Sequence, residues 1–397
     1  MGNRRRRATK ASQRPRPTGP PPVGRFASGP RPPPAAVVAA DLEASVASAW
    51  ERGWQPVDLH RFVRRRVGAD AARLLREVMA TEAATYADLG GRVARGWMAQ
   101  LEGIGVVAGR GDLMAALDRA GTRGADAVDV AIGLLRVLRA LPTIPQLADP
   151  PSAWVDGPPR PVGDVPAGLL ARIRALLAKA ESTTFDAEAE AYTAKAQELM
   201  ARHRIDRALL ADAAPVADGD VVARRIGIDD PYASAKYLLL SGLAQINGAR
   251  AVWTKALGSA TVFGFPVELD IIEELFTSLL VQATAAMHRE GSKEDAYGRS
   301  RTKAFRRSFL LAYADRVAER LRHSVEDTVT TVAAETGTDL VPLLAARDEA
   351  VAARVDDVFP RLRSTSTSIS DAEGVIAGQL AADRADLSAG PPIERSA

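Results

Sequence analysis

Apolar side chains recur at helical spacing along most of the chain. Between residues 37 and 141 they return every three to four positions, as at Leu42 and Val46. Glycines such as Gly53 and Gly68 interrupt this pattern at intervals typical of short helices. The pattern therefore predicts an all-helical domain over residues 37–141.

Two stretches lack this periodicity. Residues 1–36 consist largely of Arg, Pro and Gly and cannot bury enough apolar surface to fold, so we expect a disordered tail. Residues 142–167 contain eight prolines, which favours a linker. Helical spacing returns in residues 168–207, where two short amphipathic runs predict a helical hairpin.

The pattern changes again towards the C-terminus. Residues 249–255 and 260–265 are short alternating runs rich in Val, Trp, Thr and Phe, which predict a β-hairpin between helices. We therefore expect a small α+β domain over residues 231–331, followed by helices and a tail over 332–397. The predicted fold class is mainly α, with an N-terminal all-helical domain, a helical hairpin motif and this α+β domain.

The amino-acid composition excludes several kinds of functional site. Apolar residues make up 47% of the chain, and cysteine is absent, which excludes disulfides, thiolate metal sites and a cysteine nucleophile. The four histidines show no metal-binding spacing, so we predict neither a metal nor another cofactor. No apolar run is long enough to span a membrane, and no secretory h-region follows the N-terminal arginines, so we expect a cytoplasmic protein.

The formal charge of +3 hides an asymmetry. Residues 1–34 carry nine basic side chains and no acidic one, whereas the remainder holds 43 basic and 49 acidic residues, a net charge of −6. A flexible cationic tail on an acidic body is suited to phosphate contacts without sequence reading. Nucleic acid is therefore one expected partner.

The stretch LLARIRALLAKAESTTFDAEAEAYTAKAQELMARHRID, residues 169–206, resembles a short helical domain of unknown function, the DUF2786 type, which is common in actinobacterial and phage proteins. The Phe-Gly-Phe-Pro junction at 263–266 and the run LFTSLLVQ at 275–282 resemble the α+β domain that commonly follows it. The resemblance implies no chemistry. The expected core of the motif is Leu176, Leu177, Tyr192, Leu199, Met200 and His203.

The sequence gives little support for any catalytic residue. His203 closes the motif near a helix end, where a packing or capping role explains it. Asp270 and Glu274 share a helix face, but acidic residues also favour a first helical turn through the helix dipole. No phosphate-binding loop and no G-x-S-x-G motif is present. We therefore assign no catalytic and no metal-binding residue.

Basic helices are the remaining candidates. The segments around residues 61–66 and 299–307 are rich in arginine and lysine, and the first is followed by Gly68 and another helix, as in a helix-turn-helix. Solvated faces with acidic partners would look the same. The candidate nucleic-acid contacts are Arg4, Arg5, Arg6, Arg7, Arg61, Arg64, Arg65, Arg301, Lys303 and Arg306.

Two classes of function stay open. The first is a non-enzymatic binding or adaptor protein whose partner is nucleic acid, bound non-specifically, or another protein. The alternative is an enzyme with a carboxylate- or histidine-based site near the C-terminal α+β domain. A buried cluster of Glu, Asp and His would favour the enzyme, and a continuous positive face on the basic helices would favour nucleic-acid binding.

Overall fold

The computed structural model is mainly helical, with eleven α-helices and one three-stranded sheet among the residues it describes. The described residues are 35–86, 96–109, 126–154, 186–211, 221–363 and 370–385, with scattered positions at 89, 93, 115 and between 168 and 179. The predicted fold class is confirmed. The predicted tail lies, up to residue 34, outside the described residues.

In the part of the chain that the structure describes, the N-terminal body contains five helices around one hydrophobic core. They are α1 (Ala35–Glu51), α2 (Pro56–Arg66), α3 (Ala69–Ala83), α4 (Trp97–Gly103) and α5 (Asp126–Arg139). Each buries the apolar stripe that its sequence predicts, with Leu42, Leu59 and Leu75 fully inside. Helical periodicity was therefore sufficient to predict this part of the fold.

Four buried aromatic rings form the centre of this body. Trp97 packs edge-on against Trp50 and Trp154, with ring centroids 5.2 and 5.3 Å apart, and Tyr86 packs edge-on against Trp154. The Trp97 indole donates to the Tyr86 hydroxyl at 3.1 Å, and that hydroxyl donates to Glu82 at 2.9 Å. Burial raises the pKa of Glu82 to about 6, although the neighbouring Tyr86 hydroxyl and Trp50 indole act in the opposite direction.

The first half of the proline-rich stretch packs on this body. Trp154 is buried in the aromatic cluster, and Ile144 donates its backbone N–H to the Arg52 carbonyl at 2.9 Å. The Trp54 indole donates to the Pro142 carbonyl at 2.9 Å. Prolines restrict the backbone without preventing burial, so a stretch that resembles a linker by composition is fixed here by one tryptophan and by backbone hydrogen bonds.

The second and larger core lies in the C-terminal half. The elements of this half are α6 (Asp186–Ala211), β1 (Val222–Gly227), α7 (Ala233–Ile246), β2 (Arg250–Thr254), β3 (Ser259–Gly264), α8 (Pro266–Arg289), α9 (Thr302–Thr336), α10 (Val341–Val358) and α11 (Ala372–Asp383). The sheet is antiparallel, in the order β1-β3-β2. The predicted hairpin is β2–β3, with Trp253 opposite Ala260.

Strand β1 is an addition to the prediction. It pairs along the whole of β3, with Arg225 opposite Thr261. Consecutive arginines at 224 and 225 interrupt the apolar alternation that would reveal a strand. The sheet therefore begins ahead of the predicted α+β domain.

Helix α11 packs closely along α9 through small residues. A Cβ on Gly374 or Gly378 would overlap the carbonyl oxygens of Phe305 and Phe309 respectively. The four-residue spacing of these glycines puts both on one face of α11, which lets the two backbones approach. The C-terminal helix is thus part of the larger core.

A polar interface joins the two cores. The Arg225 guanidinium, on a side chain only 3% exposed, donates to Asp58 at 2.7 Å, to the Gly53 carbonyl at 3.1 Å and to the Pro145 carbonyl. Burial raises the pKa of Asp58, although Arg225 acts to lower it. One arginine of the sheet thereby connects α2, the α1–α2 turn and the proline-rich stretch.

Candidate functional site

The motif helix α6 rests on the larger core. Met200 is 5% exposed inside this core, and Leu176 and Leu199 pack against it while partly exposed. The side chains of Leu177 and Tyr192 lie outside the described residues. Only part of the expected motif core is thus directly visible, and the partly exposed leucines border an open space.

That space is a groove between the two runs of the motif, with a volume of about 350 Å³. It is referred to below as the motif groove. Three cations and three apolar side chains line it: Arg172, Ala175, Leu176, Lys179, Lys195 and Leu199. The described residues of the first run, which include the first four of these, are helical.

Helical spacing explains how these side chains meet. Arg172, Ala175, Leu176 and Lys179 are all helical and stand at i, i+3, i+4 and i+7, a spacing that places side chains on one face. On α6, Lys195 and Leu199 share a face at i and i+4 in the same way. Apolar residues at the centre of each face are therefore flanked by cations.

The described lining places a cation on each side of the motif groove. Lys195 donates to Glu198 at 2.7 Å, and this contact lowers the pKa of Glu198 below its ordinary value. Arg202 donates to Glu198 at 2.9 Å and to Glu335 of α9, so it is held away from the groove. Arg172 and Lys179 are exposed at the groove wall. An anion is the ligand that this rim favours.

A buried ion pair lies beside the other end of α6. Arg347 of α10 donates to Glu268 of α8 at 2.6 Å, with both side chains less than 10% exposed, and its guanidinium lies 3.6 Å from the centre of the Phe265 ring. His203 is half-buried nearby, and burial lowers its pKa while Glu268 acts to raise it. The imidazole is therefore neutral at pH 7.

This cluster does not have the composition of a metal centre. No group of three or more His, Asp or Glu residues able to hold a metal is found among the residues that the structure describes. Asp270, the other carboxylate considered from the sequence, accepts from Arg224 of β1 at 2.7 Å. These acidic groups fasten helices to the sheet and to each other.

The basic residues predicted on α2 face the C-terminal half. Arg61 pairs with Asp229 and donates to the Leu257 carbonyl, and Arg65 lies 3.7 Å from Asp229. Arg64 is exposed. Two of the three candidates on this helix therefore take part in the interface between the cores.

The second basic segment is divided in the same way. Arg301 pairs with Asp371 at 2.7 Å and with Glu373, which fixes the start of α11. Lys303 is exposed, and the Arg306 Nε atom is buried. The tail candidates Arg4, Arg5, Arg6 and Arg7 lie outside the described residues.

Sequence reasoning missed the cations of the motif groove. Arg172, Lys179 and Lys195 look like ordinary solvated positions until the two helices are placed face to face. The only available signal was their spacing around Leu176 and Leu199.

A protein-family model described as "Protein of unknown function (DUF2786)" matches residues 168–207. These are the residues of the motif, and they include the six described residues that line the motif groove. Comparison with curated proteins found no match, and comparison with solved structures found none either. Within the described ranges, no helix has the length and apolar character needed to cross a membrane.

Proposed function

We propose that this chain is a non-enzymatic binding protein and that the motif groove holds an anionic partner. The observation that carries the proposal is the groove itself, in which Arg172, Lys179 and Lys195 surround an apolar floor. Concave apolar sites with a few placed polar groups are the usual form of binding sites. The groove also lies wholly within the segment that the family model matches.

A charge-reversal experiment tests this proposal. The variant Arg172→Glu/Lys179→Glu alters two exposed side chains and should leave the fold intact. The control Arg136→Glu/Arg361→Glu makes the same change in net charge at exposed positions elsewhere. Fluorescence anisotropy would follow binding of a labelled acidic peptide and of a labelled oligonucleotide.

At least one of these polyanions should bind the full chain and lose affinity only in the groove variant. Equal affinities for the groove variant and its control would refute the motif groove as the binding site. Absence of binding by either probe to the unaltered chain would also count against the proposal.

Non-specific nucleic-acid binding is the second candidate function. The observation in its favour is the set of nine cations in residues 1–34, together with exposed Arg64 and Lys303. Removal of residues 1–34 should weaken binding to unrelated duplexes equally and flatten the salt dependence. A truncated chain that binds one sequence as tightly as the full chain would instead place recognition in the folded body.

The enzyme alternative would use the surroundings of His203 and Glu268. The pairing of Glu268 with Arg347 supports a structural role for that carboxylate, which is why binding is the preferred function. The companion relationship of residues 231–331 to the motif, an actinobacterial or phage origin and a cytoplasmic location stay predictions.

A further inference from the structure

The motif groove is long rather than round. Arg172 and Lys179 are both helical and lie seven residues apart in the sequence, a spacing that corresponds to about 10 Å along a helix axis. Lys195 and Leu199 extend the second wall by one turn. The groove therefore follows the helices for about two turns and presents a strip of apolar surface.

A strip of this shape suits the side chains of another helix. Its apolar floor is formed by Ala175, Leu176 and Leu199, none of which can hydrogen-bond through its side chain. An amphipathic helix offers apolar residues at i, i+3, i+4 and i+7, which cover about two turns of a groove. The volume of about 350 Å³ is at the lower end for a small-molecule cleft, and the open form of the site favours a surface ligand.

The charges define the flanks of the occupant. Arg172 and Lys179 stand at opposite ends of the first wall, and Lys195 stands on the second. Lys195 is already paired with Glu198, but the two side chains are 53% and 30% exposed. Exchange of this pair for a pair with a carboxylate of the partner costs little, because an ion pair between exposed side chains contributes little to stability.

A nucleic acid fits the same cations less well. Proteins that bind single strands stack the bases on aromatic rings, and no ring is found among the described side chains that line the motif groove. A sugar–phosphate backbone over Leu176 and Leu199 would lose hydration without gaining apolar contact. Charge complementarity together with the apolar floor therefore favours a peptide.

We infer that the motif groove binds an acidic amphipathic helix of a partner protein, with aliphatic side chains on the floor and carboxylates against Arg172, Lys179 and Lys195. This inference rests on the proposed binding function and adds the chemical class of the partner. It makes the chain an adaptor that recognises a short helical segment.

The test uses a designed peptide of about 14 residues, or about four helical turns. It carries Leu at i, i+3, i+4 and i+7 and Glu on both flanks, and a second peptide has Lys in place of every Glu. The full chain, the Arg172→Glu/Lys179→Glu variant and the Arg136→Glu/Arg361→Glu control are titrated by anisotropy. A further variant, Ala175→Leu, fills the groove without changing its charge.

The acidic peptide should bind the full chain and the control alike, and about tenfold more weakly to the groove variant and to Ala175→Leu. The lysine peptide should prefer the groove variant, because the charges are then reversed on both sides. An affinity for the acidic peptide that is unchanged in both groove variants would overturn the inference.

The two proposals fail differently. If the oligonucleotide loses affinity in the groove variant while the acidic peptide does not bind, the motif groove is a binding site and the helical partner is wrong. If neither probe responds to the groove variants, both the site and its partner are wrong. A scrambled peptide of the same composition that binds equally well would reduce the interaction to charge alone and would also overturn the inference.

Discussion

Arg225 should be the most sensitive single position at the junction of the two cores. Its guanidinium joins β1 to Asp58, Gly53 and Pro145, and its side chain is 3% exposed. Arg225→Met keeps much of the aliphatic packing and removes the charge. The variant therefore leaves the buried Asp58 carboxylate, which is 12% exposed, without its guanidinium partner.

Two independent arguments give the size of the effect. Removal of one partner from a buried ion pair costs about 3–5 kcal/mol. Asp58 can instead take up a proton, and neutralising a carboxyl with an ordinary pKa of 3.8 at pH 7 costs about 4 kcal/mol, at about 1.4 kcal/mol per pH unit. Protonation therefore limits this charge penalty to about 4 kcal/mol at neutral pH.

The same reasoning gives a dependence on pH. Burial raises the pKa of Asp58 above 3.8 even with Arg225 present, and Arg225 acts to lower it, so Arg225→Met should raise this pKa further. The folded variant then binds more protons than the folded original chain, and its stability falls more steeply as the pH rises. At pH 5 the limit on the penalty is about 2 kcal/mol. The difference in stability between the original chain and Arg225→Met should thus shrink on acidification.

Urea unfolding followed by tryptophan fluorescence measures this difference. Four of the five tryptophans, including Trp50 and Trp154, lie in the N-terminal core next to the interface. The control is Arg73→Met, because Arg73 and its partner Asp70 are 62% and 68% exposed and their pair should contribute less than about 1 kcal/mol. Equal unfolding free energies for Arg225→Met and Arg73→Met would refute the argument, as would a penalty that grows on acidification.

Three further substitutions probe packing and burial by urea unfolding. Met200→Ala should lower the unfolding free energy by about 2–5 kcal/mol, because the Met200 side chain is buried in the larger core. Leu199 is partly exposed, so Leu199→Ala should lower it by less, and equal losses would contradict the prediction. Gly378→Ala should cost about 1–3 kcal/mol because its Cβ overlaps the Phe309 carbonyl, and Gln379→Ala on the exposed face should change stability by less than about 0.5 kcal/mol. The raised pKa of Glu82 means that ionisation of this carboxyl destabilises the folded chain. Glu82→Gln should therefore raise the unfolding free energy by up to about 2 kcal/mol above pH 6 and lose this advantage below about pH 4.5. A difference in stability that stays constant across this pH range would contradict the prediction.

The helices could be predicted because their apolar positions repeat. Spacing alone assigns Leu42 and Val46 to a buried face, and both are fully buried. The β2–β3 hairpin followed from its alternating, β-branched and aromatic residues. Local periodicity is sufficient wherever one face of an element is buried and the opposite face is solvated.

Strand β1 and the packed part of the proline-rich stretch show where this signal fails. Arg225 is a buried charge inside a strand. Its burial is explained by its ion pair with Asp58, which lies 167 residues away in the sequence. Trp154 is held by Trp97 and Tyr86, again from distant segments. Neither contact leaves a local pattern, because each depends on how two separately predictable elements meet.

The distribution of arginine partners decides where binding should be sought. Arg61 has an exposed fraction of 21% and donates to Asp229, and Arg301 contacts both Asp371 and Glu373. A phosphate that recruited either residue would leave carboxylates without partners at the contacts that hold the fold together. Arg172, Lys179 and Lys195 instead line the motif groove beside an apolar floor, so an acidic partner there leaves the contacts of Arg61 and Arg301 intact. We therefore expect binding at the motif groove rather than at these two arginines.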